Sequence, residues 1–277
     1  PVICNLLRRG SFDAKEAACV AIRKLAAIND LNRVGFASAG AVAVLGLLVQ
    51  DKSAHDTARE AAIRALDSLA YDDPGNRRAV ARVFVIPELV RFLDLRGPAG
   101  LREAAANCLL TLVVDDNANK RALVAHGVEA LLKLVVDDRA TGANAAVRIV
   151  RVLAATGFAQ HHLAECGALN PLVHFVAHAK GAVRTRAAAA SALCDLATSI
   201  HVSVYGAPVA LVSLLEKAKC RETKEAAAAA LKALTKSRTS RGLVVRALGS
   251  LPRTASRPDV DAAIDARLSS LRFVTTI

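Results

Sequence analysis

The chain has 277 residues, 53% of them hydrophobic, with a mean hydropathy of +0.34, so disorder over most of its length is excluded and a sizeable core is available. Its apolar part is mainly Ala, Leu and Val with 3% aromatics and neither Trp nor Met, which suits closely stacked helices better than a sheet. The formal charge of +12 admits a polyanionic partner, but two Tyr and seven Phe leave little with which to stack bases. Taken in chain order, Ala-rich helical stretches recur. KEAACVAIRKLA has its last leucine at Leu25, REAAIRALDSLA at Leu69, REAAANCLLTLV at Leu112, NAAVRIVRVLA at Leu153, AAAASALCDLA at Leu196 and KEAAAAALKALT at Leu234. The steps between these leucines are 44, 43, 41, 43 and 38 residues.

Two further markers keep the same period. One is an amide near the start of a short helix: Asn32, Asn76, Asn119 and, less faithfully, Gln160. The other is a turn before the next helix, at Gly40-Ala41, His126-Gly127, Gly167-Ala168 and Gly206-Ala207, with Phe84-Val85 as the copy lacking Gly. A period near ~40 with three helical pieces belongs to the armadillo/HEAT class of solenoids, whereas tetratricopeptide repeats are shorter. The short first helix is absent from HEAT units, so the pattern favours armadillo: an all-α, right-handed armadillo (ARM) repeat solenoid of about six units plus a C-terminal capping helix.

The stretch Asp115–Val136 shows the expected unit most fully. Asn119 is expected to cap a short helix carrying Ala122, Leu123 and Ala125, and Gly127 to end it. Val128, Leu131, Leu132, Val135 and Val136 then form one buried stripe on a second helix. On this pattern repeats occupy 1–236: a partial unit over 1–25, whose missing first helix suggests a fragment, then 32–70, 76–113, 119–154, 160–197 and 202–235. Residues 237–277 hold a degenerate repeat and the capping helix, whose face is Val260, Ile264, Leu268 and Leu271.

IRKLAAINDLNRVGFASAGAV and TLVVDDNANKRALVAHGVEALLKLV resemble armadillo repeats, and the IND-x-NR and DD-x-x-NK junctions resemble those of plant U-box ubiquitin ligases. The resemblance covers roughly Val2–Lys236. It implies a repeat region that binds a substrate or a receptor-kinase partner, beside a separate U-box that recruits the conjugating enzyme. No segment here looks like a U-box, so the chain alone is expected to bind and not to ligate. A role in substrate recognition for ubiquitination is what the family resemblance implies.

Third helices of such units line a groove, with side chains four apart sharing a face. The matching pairs are Val20/Lys24, Arg64/Ser68, Asn107/Thr111, Arg148/Val152, Ser191/Asp195 and Ala229/Ala233. Importin-α and similar armadillo proteins carry Trp and Asn there; this chain has neither a Trp nor an Asn at the second position, which argues against the importin mode of cargo binding. Lys24, Arg64, Ser68, Asn107, Thr111, Arg148, Arg151 and Asp195 are the candidate partner-binding residues. Their four cations predict a protein partner with an acidic or phosphorylated segment, because guanidinium forks match carboxylate and phosphate.

Other chemistry finds little support. His174 and His178 share a helix face near His161, His162 and Cys166, but no HExxH pattern accompanies them, and they read as solvent-facing. There is no GxSxG elbow and no phosphate loop; RGPAG at 96–100 reads as a loop between units. No catalytic residue, metal, cofactor or small-molecule ligand is expected. The six cysteines form no CxxC pair and read as reduced core residues of an intracellular protein of cytoplasm or nucleus. No apolar run approaches the ~20 residues of a membrane helix. From His201 onward thirteen Lys/Arg face six Asp/Glu, so the basic stretch 236–257 is the one candidate for nucleic acid or anionic membrane; a solvated, degenerate repeat is the simpler reading.

Overall fold

The computed structural model describes residues 2–83, 85–137, 139–178, 183–199, 207–218, 221–252 and 255–270, and among them it contains α-helices and no strand. The helices form two compact units, one drawn from Pro1–Leu134 and Ala140–Ile149, the other from Val135–Arg139 and Val150–Ile277.

The first unit begins with α1 (Val2–Arg9) and α2 (Phe12–Ile28). There follow α3 (Asp30–Ser38), α4 (Ala41–Gln50) and α5 (Asp56–Ala70), then α6 (Pro74–Arg82), α7 (Val85–Arg91) and α8 (Ala99–Val113). Helix α9 (Asn117–Val136) as far as Leu134 and the first part of α10 (Ala143–Ala154) complete it. The long Ala-rich helices stack in order, α2 on α5 and α5 on α8. Their buried faces, Cys19, Ile22 and Ala26, then Ala62, Ile63, Leu66 and Leu69, then Ala105, Leu109 and Leu112, are fully excluded from water. Alanine on these faces lets the axes approach, and leucine and isoleucine fill the space between them.

The recurring amide holds the repeats together differently from the expected cap. The N-caps are Asn29, Asp73 and Asp116, whose side chains accept from the backbone N–H of Asn32, Asn76 and Asn119. Each of those three asparagines instead donates through Nδ2 to a carbonyl seven residues earlier: Leu25 at 2.8 Å, Leu69 at 2.9 Å and Leu112 at 2.8 Å. Gln160 Nε2 reaches Ala154 in the same way, at 2.7 Å. The amides therefore satisfy carbonyls at the C-terminal end of the preceding long helix, which have no partner within that helix.

Gly127 also differs from expectation. Gly40 and Gly167 break their helices with φ of +78° and +75°, but α9 runs unbroken through Gly127. A Cβ at Gly127 would lie 2.8 Å from Val90 Cγ2 and 2.5 Å from Leu123 Cδ1, so this glycine permits close packing of α7 on α9 and does not end a helix. In the apolar stripe of α9, Val128, Leu131, Leu132 and Val135 are buried with Leu134, whereas Val136 at the helix end is 53% exposed. Gly206, Phe84, Leu271, Cys220 and the His178 side chain lie outside the described residues.

The second unit continues with α11 (Gly157–Glu165), α12 (Leu169–His178), α13 (Val183–Ser199), α14 (Ala207–Lys217), α15 (Arg221–Leu234), α16 (Arg238–Leu248) and α17 (Arg257–Ser270). Helix α13 packs on α15, and α17 closes over α14, α15 and α16. Val260 and Ile264 of α17 are fully buried and Leu268 is half-buried. Polar contacts fix its position: Thr235 Oγ1 donates to Asp261 Oδ1 at 2.8 Å, Lys232 pairs with Asp265 at 2.5 Å, and Arg267 donates to the Leu248 carbonyl at 2.9 Å. Much of the basic stretch after Lys236 is thus α16, an ordered helix ended by Gly249 at φ +67°.

Candidate functional site

In the first unit the long helices α2, α5, α8 and α10 carry Lys24, the Arg64/Ser68 pair, the Asn107/Thr111 pair and Arg148 respectively. Lys24 and Arg148 are exposed; Arg64, Ser68, Asn107 and Thr111 are half-buried. Because α2 packs on α5 and α5 on α8, the polar positions of neighbouring helices fall side by side. In the second unit Arg151 is exposed on α10 and Asp195 is half-buried on α13. Burial pushes the Asp195 carboxyl above its usual range, and the charge of Arg151 opposes that shift.

Arg64 is not an open cation. Its Nε donates to Glu60 Oε1 at 3.0 Å, and its Nη2 lies 3.9 Å from Glu103 Oε2 on the adjacent α8. Ser68 turns back on its own helix, donating to the Arg64 carbonyl at 3.1 Å. Thr111 donates to Asp67 Oδ1 on α5 at 2.6 Å, a bond between residues 44 apart in sequence. Burial raises the pKa of Asp67, against the lowering effects of the Thr111 bond and the Arg64 charge. The candidate positions are therefore partly committed to each other before any partner arrives.

What the structure adds is a cleft of about 380 Å³ at the C-terminal ends of α5 and α8. It brings together Asn107, Thr111 and Arg148 with Asp67, Tyr71, Asp72, Asp115 and Arg77. Arg77, on α6, is 7% exposed, and its Nε has no hydrogen-bond partner among the described residues. Asp72 and Asp115 both take left-handed backbone angles, φ +54°, which Asp tolerates better than most residues. Sequence reasoning passed over Arg77 and these acids because it followed only the third helices. The signal was available in the loops, where Asp72 and Asp115 each directly precede a capping Asp.

A second cleft, about 510 Å³ and mostly apolar, lies between α6, α7 and α9, lined by Ala81, Ile86, Pro87 and Ala122 with Arg78 and His126 at its edge. The loop read from RGPAG is tied down by Arg102, whose guanidinium donates to the carbonyls of Asp94, Leu95, Gly97 and Thr141, and helix α8 starts within the motif, at Ala99. The Cys19 and Cys108 thiols are buried; burial, with the nearby Glu16 charge, pushes Cys19 up to about 12, and burial with Asp67 pushes Cys108 well above the usual range. Such thiols are poor nucleophiles.

No protein-family model matches the chain, and no curated protein does. Solved structures do. A computationally designed armadillo repeat protein for modular peptide recognition superposes with a TM-score of 0.76 at 22% identity, covering 84% of this chain and 98% of its own. The fold is that of an armadillo-repeat solenoid. A designed armadillo repeat protein in complex with the peptide (KR)4 gives a TM-score of 0.74 at 21% identity, with the same coverage of 84% and 98%. A structure concerned with a phosphorylation switch that controls the interaction between cadherin and β-catenin gives 0.75 at 16% identity, over 98% of this chain and 54% of that one. These similarities concern the fold, and within it the long helices α2, α5 and α8 carry the candidate positions of the first unit.

Proposed function

We propose that the chain is a non-enzymatic protein-binding module that lays an extended segment of its partner across the third helices. The observation that carries this reading is the direct stacking of α2, α5 and α8, which aligns polar side chains on adjacent helices while each helix buries its opposite face. An amide such as Asn107, half-buried at the edge of a cleft, both donates and accepts, as a peptide backbone does. Structural neighbours with this fold include one bound to a peptide and one studied for its interaction with cadherin, which supports the same use here.

The charge preference is for acidic segments, and it is narrower than the count of groove cations implies. With Arg64 held by Glu60 and Glu103, Lys24 and Arg148 are the exposed cations of the first unit's candidate set. The test is a peptide array probed with the whole chain and with a Lys24→Glu, Arg148→Glu variant. Peptides that carry carboxylate side chains, with or without cations beside them, should dominate the first profile and be lost from the second; identical profiles would remove the reading.

The IND-x-NR and DD-x-x-NK junctions favour one cellular role for such a module, substrate recognition for ubiquitination, with the ligase activity residing in a U-box elsewhere in a longer protein. A partner captured by this region should then be ubiquitinated by the full-length protein in a reconstituted reaction, and should escape when the Arg148→Glu change is present. Capture without modification would leave the binding module and discard the ligase role.

A further inference from the structure

We propose that the cleft at the ends of α5 and α8 is a mixed-charge subsite that seats one carboxylate side chain of a bound segment between Arg77 and Arg148, with a basic side chain two residues away over Asp72 and Asp115. This deepens the peptide-binding reading and rests on it.

The argument starts from Arg77. The equivalent residue one repeat earlier is Arg33, which is also buried. At Arg33 the two Nη groups are satisfied locally, although Nε, like that of Arg77, has no hydrogen-bond partner among the described residues: Nη1 donates to the Ala26 carbonyl at 3.0 Å, and Nη2 pairs with Asp30, three residues before it. At Arg77 the position three residues before is Pro74, so that carboxylate is missing. No side-chain hydrogen bond or ion pair of Arg77 exists among the described residues, although the side chain is more than nine-tenths buried and lines the cleft. A buried guanidinium Nε without an acceptor is costly, and a carboxylate that reaches it removes that cost. Arg148, exposed on the same cleft and in no ion pair among the described residues, supplies the second fork.

The acids in the cleft decide which anion fits. Asp72 and Asp115 are exposed at its mouth, and Asp67 accepts from Thr111 inside it. Two guanidinium charges facing up to three carboxylates accommodate one further negative charge poorly, and a dianionic phosphate worse, unless the ligand brings its own cation. In an extended peptide residues i and i+2 point the same way, about 7 Å apart, so a Glu-x-Lys segment presents both charges to one face. Tyr71, 65% exposed at the rim, offers an aromatic surface for the lysine stem.

The experiment titrates the ¹⁵N-labelled chain with acetyl-(Glu-Ser-Lys-Ser)2-amide and follows the Nε–Hε signals of Arg77 and Arg148 by NMR. Controls replace every Glu by Lys, every Lys by Glu, or every Glu by phosphoserine. The mixed peptide should move both arginine signals and bind about fivefold or more tightly than either single-sign control and the phosphoserine peptide. Arg148→Gln and Asp115→Asn should each weaken it severalfold; both positions are exposed, so these variants keep the fold if the buried Arg77→Gln does not. An unmoved Arg77 signal at millimolar peptide overturns the subsite, as does tighter binding of the phosphoserine or all-Glu peptide. If the signals of Lys24 and Asn107 move while Arg77 stays still, the subsite fails and the peptide-binding module survives. If none of the peptides moves any groove signal and the array also shows no acidic preference, both fall.

Discussion

Asn119 Nδ2 donates to the carbonyl oxygen of Leu112 at 2.8 Å, and the same bond recurs from Asn76 to Leu69 and from Asn32 to Leu25. At Asn76 and Asn119 the amide is buried, so its loss leaves a C-terminal helix carbonyl without a partner. Asn119→Ala should therefore cost about 1–3 kcal/mol. Asp116→Ala, which removes the cap that Asp116 provides to Asn119 N–H, should cost about 0.5–2 kcal/mol. Urea unfolding of both variants checks this. A negligible effect of Asn119→Ala beside a large effect of Asp116→Ala would restore Asn119 to the minor role of a helix-start residue.

That hydrogen bond also explains why the fold was legible in the sequence. The period was found from leucines at 25, 69 and 112 and independently from asparagines at 32, 76 and 119, and these turn out to be the two ends of one contact. A short-range bond with fixed spacing leaves a trace that one sequence displays. Gly127 shows the limit: a glycine that ends a helix and one that admits a neighbouring Val90 look alike until the neighbour is placed. The candidate site was less legible for the same reason. Glu60 could be paired with Arg64 from its i−4 spacing, but Glu103, the Asp67–Thr111 bond and the Arg77 cleft depend on which helices stack.

Asp67 gives a pH dependence with a definite sign. Its folded pKa lies above the ordinary carboxyl value of 3.8 because burial outweighs the Thr111 bond and Arg64. The folded state then holds the proton longer than the unfolded state, so this group's contribution to stability falls as pH rises from below 3.8 through the folded value. Asp67→Asn keeps an acceptor for Thr111 and loses the charge. Relative to the unaltered chain the variant should gain stability as pH rises above about 4 and level off once Asp67 is fully ionised. Urea midpoints measured from pH 4 to 7 read the difference directly, and a difference that shrinks with pH would contradict the sign.

Arg64 should behave as a masked cation. Its pairs with Glu60 and Glu103 are about one-third to one-half exposed and are expected to contribute only about 0–1 kcal/mol to stability. Replacing both acids by Gln should therefore leave the melting temperature nearly unchanged while strengthening binding of an acidic Glu-Ser peptide about threefold at low salt, with the gain lost at high salt. Fluorescence anisotropy at two salt concentrations measures it. A gain that persists at high salt would point to a change of shape and not of charge.

The last helix should act on its neighbours and not on distant repeats. Ile264 and Val260 are fully buried where α17 meets α14, α15 and α16, and Thr235, also fully buried, donates to Asp261. In a repeat array each element is coupled mainly to the next, so damage at one end stays local. Ile264→Ala removes buried methyl and methylene groups and should cost about 2–5 kcal/mol in the terminal elements. Amide exchange should then quicken in α15, α16 and α17 while α5 and α8 of the first unit keep their protection. The control is Leu109→Ala in α8, another fully buried side chain, which should reverse the pattern and speed exchange in α5 and α8. Equal acceleration throughout the chain from Ile264→Ala would mean that the units unfold as one cooperative body and that α17 is not a terminal cap but part of a single core.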